Sequence, residues 1–333
     1  PKAGEVVFNT SHSGYEEMAT DPSYFSQILL MTAPMQGNYG ASDEVWESRK
    51  MWIHGFVCLE MQNSQRDSTW LKKLDANHVP VVAEIDTRSI VIHLRERGTT
   101  LGALVPARTI EEAKEKAMTL IEKERHKDED WVYAVTSPET LDIEGKLDVG
   151  ARIAVLDFGS KKNIIRELQS RVKELRIFPS RTPAQEILAW QPDGIMLTNG
   201  PGNPENVQQA VETVRSLLGH QFIFGICMGH QILCMALGAK TYKLKFGHRG
   251  GNHPIKDDLM GQIYMTSQNH GYAVKKESLP SGAMITHTNL NDNTVSGVHC
   301  PEQKCLSVQF HPESRPGPHD AETLFDFFVK QLQ

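Results

Sequence analysis

Cysteine is scarce in this chain of 333 residues: there are five, Cys58, Cys227, Cys234, Cys300 and Cys305, and no two form a C-x-x-C pair. An odd, scattered set in a chain of this size excludes a disulfide-stapled scaffold and points to a reduced, cytoplasmic protein. Cys300 and Cys305 lie close together, but no second ligand pair follows at zinc-like spacing, so no metal site is expected there. No apolar run approaches the roughly 18 residues of a membrane span, and no apolar leader follows Pro1-Lys2-Ala3-Gly4. Long basic runs are missing too, and a formal charge of −6 argues against general affinity for nucleic acid. The segment Asn199-Gly200-Pro201-Gly202-Asn203-Pro204 lacks the G-K-[ST] ending of a phosphate loop. What remains is an ordinary globular composition, 23% charged and 39% hydrophobic, in a chain long enough for two cores.

The pattern of those residues changes along the chain. From Ala151 onward, short apolar runs alternate with helical periodicity. Strands are expected at 152–157, 175–178, 194–198 and 222–226, with helices at 161–170, 183–190 and 206–218 between them. Such alternation predicts an α/β fold with a mostly parallel, doubly wound sheet, whose functional groups lie at the carboxyl ends of the strands. Runs at 263–266, 283–287 and 295–299 alternate like antiparallel edge strands, and a Phe-rich helix is expected within 317–333. Residues 1–140 predict a smaller, mixed α/β domain with strands at 5–8, 79–85 and 102–105 and a helix from Thr109 to Lys127. Residues 141–150 have the small and charged composition of a linker, leaving 151–333 as the second domain.

One local pattern carries chemistry. The apolar strand 222–226 ends in Gly225-Ile226-Cys227-Met228-Gly229 and runs directly into a helix, so Cys227 is expected on a sharp strand-to-helix turn, a nucleophile elbow. A helix N-terminus favours thiolate over thiol, which at its usual pKa of about 8.5 is only a few per cent ionised at neutral pH. At the end of a later strand stand His311-Pro312-Glu313, a base with a carboxylate two positions on. His311 would accept and return the thiol proton, and Glu313 would orient the ring and stabilise its charged form. The 199–204 loop, with the Met228 N–H, reads as an oxyanion hole. Cys234, inside the helix on an apolar face, reads as structural. Lys245 to Pro254 and Gln268-Asn269-His270-Gly271-Tyr272 read as polar turns, and His248, His253 and His270 as surface residues or ligands alike.

Taken together, these motifs resemble the class I (triad) glutamine amidotransferases. The part before residue 140 is similar to the small subunit of carbamoyl-phosphate synthase, through Glu5-Val6-Val7-Phe8-Asn9-Thr10-Ser11, Thr20-Asp21-Pro22-Ser23-Tyr24, Gly37-Asn38-Tyr39-Gly40 and Asp86-Thr87-Arg88. Asp157-Phe158-Gly159, Lys162-Asn163-Ile164 and Pro316-Gly317-Pro318-His319-Asp320 resemble it as well. The resemblance implies hydrolysis of L-glutamine to glutamate and ammonia through a thioester on Cys227, with His311 and Glu313 completing the triad. It implies oxyanion-hole N–H groups from Gly200 and Met228, and glutamine held by Ser23, Gly200, Gly202, Gln231, Asn269, Gly271 and Tyr272. Met228 and Tyr272 stand where leucine and phenylalanine are usual in that family. The resemblance also implies a separate large ATP-dependent subunit that receives the ammonia and makes carbamoyl phosphate for arginine or pyrimidine synthesis. ATP and metal ions are expected in that subunit, none in this chain, and a higher oligomer of the pair is left open. An initial strand is expected to be missing before Pro1. Two rival readings stay open: a glutaminase serving another synthetase, and an idle regulatory subunit.

Overall fold

The computed structural model describes residues 1–125 and 130–332. They fall into two compact units, Pro1–Glu129 and Asp130–Gln333.

The first unit is built on a five-stranded sheet in the order Val81–Val82, Gly55–Val57, Gln27–Met31, Lys2–Asn9, Thr100–Leu104. The first four strands are parallel and the last is antiparallel. Period-two alternation splits the side chains between two cores. Val7, Leu29, Met31 and Phe56 pack with Tyr15 and Trp70 on one face, while Ile28, Leu30 and Val57 face the other way. Within the expected strand 79–85, Val81 and Val82 pair in register, and Pro80, which has no N–H to give, contributes its carbonyl to Phe56 N–H at 3.0 Å. The helix expected over 109–127 runs Ile110–Arg125, and positions 126 and 127 lie outside the described residues.

The second unit holds a ten-stranded sheet. Its centre is parallel, in the order Cys305–Val308, Phe222–Ile226, Gly194–Leu197, Arg152–Asp157, Glu174–Pro179. Buried on both faces, these strands read as continuous apolar runs. Ile153, Val155, Met196, Phe224 and Val308 pack against Ile164, Leu168, Leu324, Phe325 and Phe328. Ala154, Leu156, Ile195, Leu197 and Ile223 meet Val211, Val214, Ile232 and Leu233 on the opposite face. The Phe224 ring meets Phe325 edge-on at 6.1 Å, which ties the final helix, Thr323–Lys330, to the sheet centre. Antiparallel strands Val295–Cys300, Met284–Asn289, Thr241–Asp257 and Gln262–Val274 extend the sheet beyond Cys305–Val308.

Two expectations need correction. The stretch 141–150 does not behave as a linker throughout: Leu141–Glu144 is an edge strand paired antiparallel with Glu174–Pro179. An edge strand there needs little apolar surface. Ile143 packs on the core, and Asp142 pairs with Arg176 across the ladder, Nη2 to Oδ2 2.9 Å. The segments 245–254 and 268–272, expected as turns, are parts of the two long strands 241–257 and 262–274. Register shifts between Lys243 and His248 and between Gly250 and His253 absorb their glycines, with Gly247 and Gly250 at φ 73° and 149°. The Phe-rich helix expected within 317–333 is present as Thr323–Lys330.

Candidate active site

The strand Phe222–Ile226 stops at Cys227, whose backbone has φ 54° and ψ −102°. A non-glycine residue there costs about 1–3 kcal/mol, and surrounding contacts must impose it. Cys227 N–H donates to Val308 O at 2.9 Å and Gly229 N–H to Thr198 O at 3.0 Å, so the elbow is stitched to the strands on either side. The flanking glycines are required by close approach. A Cβ on Gly229 would lie 2.3 Å from Leu197 O, and one on Gly225 would lie 2.8 Å from the Gly229 backbone. The helix Met228–Ala236 begins immediately after the sulfur, and its first N–H groups have no partners within the helix.

Cys227 is buried, 2% exposed, and two polar groups lie close to its sulfur. It lies 3.6 Å from Asn269 O, an acceptor for the thiol proton, and 3.8 Å from the Gln309 amide nitrogen. His311 and Glu313 reach the same place from the far end of Cys305–Val308. His311 N–H donates to Ser267 O at 2.9 Å, and its Nδ1 is 2.7 Å from Glu313 Oε1. His311 Nε2 makes no hydrogen bond of ordinary length, but the Cys227 side chain is near enough to interact with the ring. Burial of His311 works against its charged form, but the Glu313 carboxylate and the Cys227 sulfur outweigh it and raise the imidazole to about 10.

Glu313 is fully buried and would be pushed up by that burial, yet Lys161 and then His311 hold it down at about 2. Lys161 is itself only 2% exposed; its Nζ stands 3.0 Å from Glu313 Oε1 and also donates to Ser314 O. Asn163 donates its amide to Glu313 O, and Lys161 N–H donates to Asn199 Oδ1 at 3.1 Å. The relay is therefore four groups deep: sulfur, imidazole, carboxylate, ammonium.

The expected oxyanion loop follows Gly194–Leu197. A Cβ on Gly200 would sit 2.2 Å from Phe158 O, and Gly202 adopts φ 91° beside Trp131. Gln231, one turn into the Cys227 helix, donates to Tyr272 O at 2.8 Å and to Gln309 Oε1 at 3.1 Å. Asn269 and Tyr272 thus meet Cys227 and Gln231 through backbone carbonyls, and half-buried Gly271 lies between them. Ser23 belongs to the first unit, in the short helix Pro22–Tyr24, where Asp21 Oδ1 accepts its N–H at 2.9 Å. Cys234 is fully buried and its thiol is pushed up by desolvation, as a structural residue's would be. The His248 ring meets His253 at a tilt and His270 edge-on, at ring separations of 5.2 and 4.9 Å, packed within the hairpin rather than set on a surface turn. Among the described residues, no group of three or more His, Cys, Asp or Glu side chains could hold a metal ion.

Sequence reasoning missed Lys161 and Gln309. Lys161 is hidden by its neighbour: of the tandem pair Lys161-Lys162, the first is buried and the second exposed. Gln309 looks like an ordinary residue of the last central strand. Its signal was proximity in sequence to His311.

A cysteine elbow at the centre of a parallel α/β sheet, facing a His–Glu pair, defines the class of triad amidotransferases, and comparison with known proteins agrees. Residues 154–331 match the family model for glutamine amidotransferase class-I, and residues 1–104 match that for the carbamoyl-phosphate synthase small chain, CPSase domain. The carbamoyl phosphate synthase small chain of Symbiobacterium thermophilum is 45% identical, over 98% of this chain and 92% of its own length. That of Syntrophotalea carbinolica is 43% identical, over 99% of this chain and 92% of its own. A solved structure of a glutamine amidotransferase from Thermotoga maritima is similar at 20% identity, with a TM-score of 0.39, over 50% of this chain and 77% of its own. The chain belongs to the carbamoyl phosphate synthase small-chain family.

Proposed function

We propose that this chain hydrolyses L-glutamine at Cys227 and passes the ammonia to a large ATP-dependent subunit, where carbamoyl phosphate is made for arginine or pyrimidine synthesis. The observation that carries the chemistry is the contact chain Cys227–His311–Glu313–Lys161. Within it His311 accepts the thiol proton through Nε2, and the sulfur anion attacks the side-chain carbonyl carbon of glutamine. The Gly200 and Met228 N–H groups receive the resulting oxyanion. His311 returns its proton to the departing nitrogen, ammonia leaves, and a γ-glutamyl thioester remains. Water, deprotonated by His311, then cleaves the thioester to glutamate and restores the thiol. Glu313 keeps the imidazole in the right tautomer throughout, and Lys161 keeps Glu313 ionised in a site that would otherwise protonate it.

Substrate contacts within the second unit are assigned to Gly200, Gly202, Met228, Gln231, Asn269, Gly271 and Tyr272. ATP and metal ions are assigned to the large subunit. No helix among the described residues is long and apolar enough to cross a membrane. All five cysteines are free, which fits the reducing cytoplasm. The test is Cys227→Ser in complex with the large subunit. Glutamine-dependent carbamoyl phosphate synthesis should vanish while synthesis from added ammonia persists, and retained glutamine use would sink the assignment.

A further inference from the structure

The Gln309 side chain has no part in the triad, yet it lies against the reacting atom. It is 1% exposed, so both ends of its amide need partners inside the protein. The network fixes which end is which. Gln231 Nε2 lies 2.8 Å from Tyr272 O, which can only accept, so that atom must be the nitrogen of Gln231. The same nitrogen lies 3.1 Å from Gln309, which must therefore present its oxygen, leaving the Gln309 nitrogen 3.8 Å from Cys227 Sγ. Main-chain bonds pin both residues: Gln309 N–H donates to Ser296 O and Cys227 N–H to Val308 O, each at 2.9 Å.

The sulfur thus sits between two opposed neighbours. Asn269 O accepts a proton and stabilises the neutral thiol. An amide N–H stabilises the anion. Once the proton moves to His311, the carbonyl faces a negative sulfur with nothing to accept, and the amide is the neutral donor that faces it. We propose that Gln309 is a catalytic residue that stabilises the Cys227 thiolate and, through its oxygen, positions the substrate-binding Gln231, so that nucleophile and pocket are set by one side chain. The proposal rests on the reading of Cys227 as nucleophile. Among the described residues, the charged groups near the sulfur include His311, with Glu313 and Lys161 behind it, and Arg249, paired with Asn269 on the neighbouring strand. His230, on the Cys227 helix, is held neutral by burial at about 3.

The test reads sulfur ionisation directly. Alkylation of Cys227 by iodoacetamide, quantified by peptide mass spectrometry between about pH 5 and 10, reports the thiolate fraction. Gln309→Met, matched in length and without an N–H, should raise the midpoint by about one pH unit and slow alkylation at neutral pH roughly tenfold. Gln309→Glu keeps the acceptor for Gln231 and places an acid near the sulfur. It should raise the midpoint further, partly through its charge, so Gln309→Leu, uncharged and without an N–H, decides the matter if the methionine variant fails to fold. Gln231→Met should raise KM for glutamine and, by freeing the Gln309 amide to turn, move the alkylation midpoint upward by less than Gln309→Met does. A folded Gln309→Met or Gln309→Leu protein with the wild-type midpoint overturns the proposal, since a packing role would change stability but not the pH at which sulfur ionises. Glutaminase activity surviving in Cys227→Ser would instead overturn the reading beneath it, and the two failures are distinct.

Discussion

Replacing Lys161 with methionine removes the cation beneath Glu313 and keeps the length of the side chain. Glu313 has an ordinary value of 4.5 and sits at about 2 in the fold, despite burial that pushes it up, and Lys161 supplies the largest downward influence. A difference of ~2.5 units corresponds to an order of 3 kcal/mol. Breaking a buried ion pair by deleting one member costs a comparable amount, about 3–5 kcal/mol. The sign follows from the depressed value. Ionised Glu313 contributes stability that is fully present above about pH 4.5 and is lost as the pH falls toward 2. Lys161→Met should therefore be less stable than wild type by on the order of 3 kcal/mol at neutral pH, a gap that narrows steadily between about pH 4.5 and 2. About 1 kcal/mol should persist at the acid end, because Ser314 O has also lost a donor. Urea unfolding at several pH values, extrapolated to water, measures the gap. The looser imidazole should also lower glutaminase kcat, by roughly tenfold to a hundredfold, short of the ~10⁴ loss that follows when a triad's third member can no longer orient the base. A stability gap of the same size at pH 3 and pH 7 would refute the electrostatic reasoning and leave Lys161 as a packing residue.

Two further perturbations probe other parts of the site. Glu313→Gln removes the anion that opposes the burial of His311, so the ring should lose its proton at lower pH and the alkaline limb of the glutaminase pH–rate profile should move downward. In wild type the His311 contribution to stability is full below about 6.5 and lost as pH rises toward 10, and that alkaline loss should be absent from the variant; an unmoved limb counts against the assignment. Gly229→Ala places a methyl 2.3 Å from Leu197 O, so the elbow must open. A cost of roughly 1–3 kcal/mol and at least a hundredfold loss of glutaminase rate are expected, and near-normal turnover would show that the turn tolerates a side chain.

The second unit was legible in the sequence because its central strands are buried on both faces and its helices on one, so strand and helix periods stand apart. Cys227 was legible because Gly225 and Gly229 flank it where packing gives them no purpose except close approach. The hairpin of 241–257 and 262–274 was not, because bulges put glycines, histidines and asparagines inside strands, and local composition then imitates a turn. Leu141–Glu144 failed for another reason: an edge strand exposes most of its surface and needs only Ile143 to be apolar. Lys161 was obscured since a lysine next to a lysine carries no mark of which one turns inward. Gln309 was missed because its role depends on Cys227 and Gln231 of a helix distant in sequence and on Tyr272 of another strand.

The acceptor beside the sulfur comes from the peptide unit of Asn269, not from a side chain. Any amino acid at 269 brings an equivalent oxygen, so that part of the surroundings is insulated from point mutation. Removal of one residue from the bulged strand opposite is different. It would slide the ladder and replace a fixed dipole by whatever the next unit presents, so insertions and deletions in that hairpin, rather than substitutions, are the changes by which evolution or engineering could retune the sulfur.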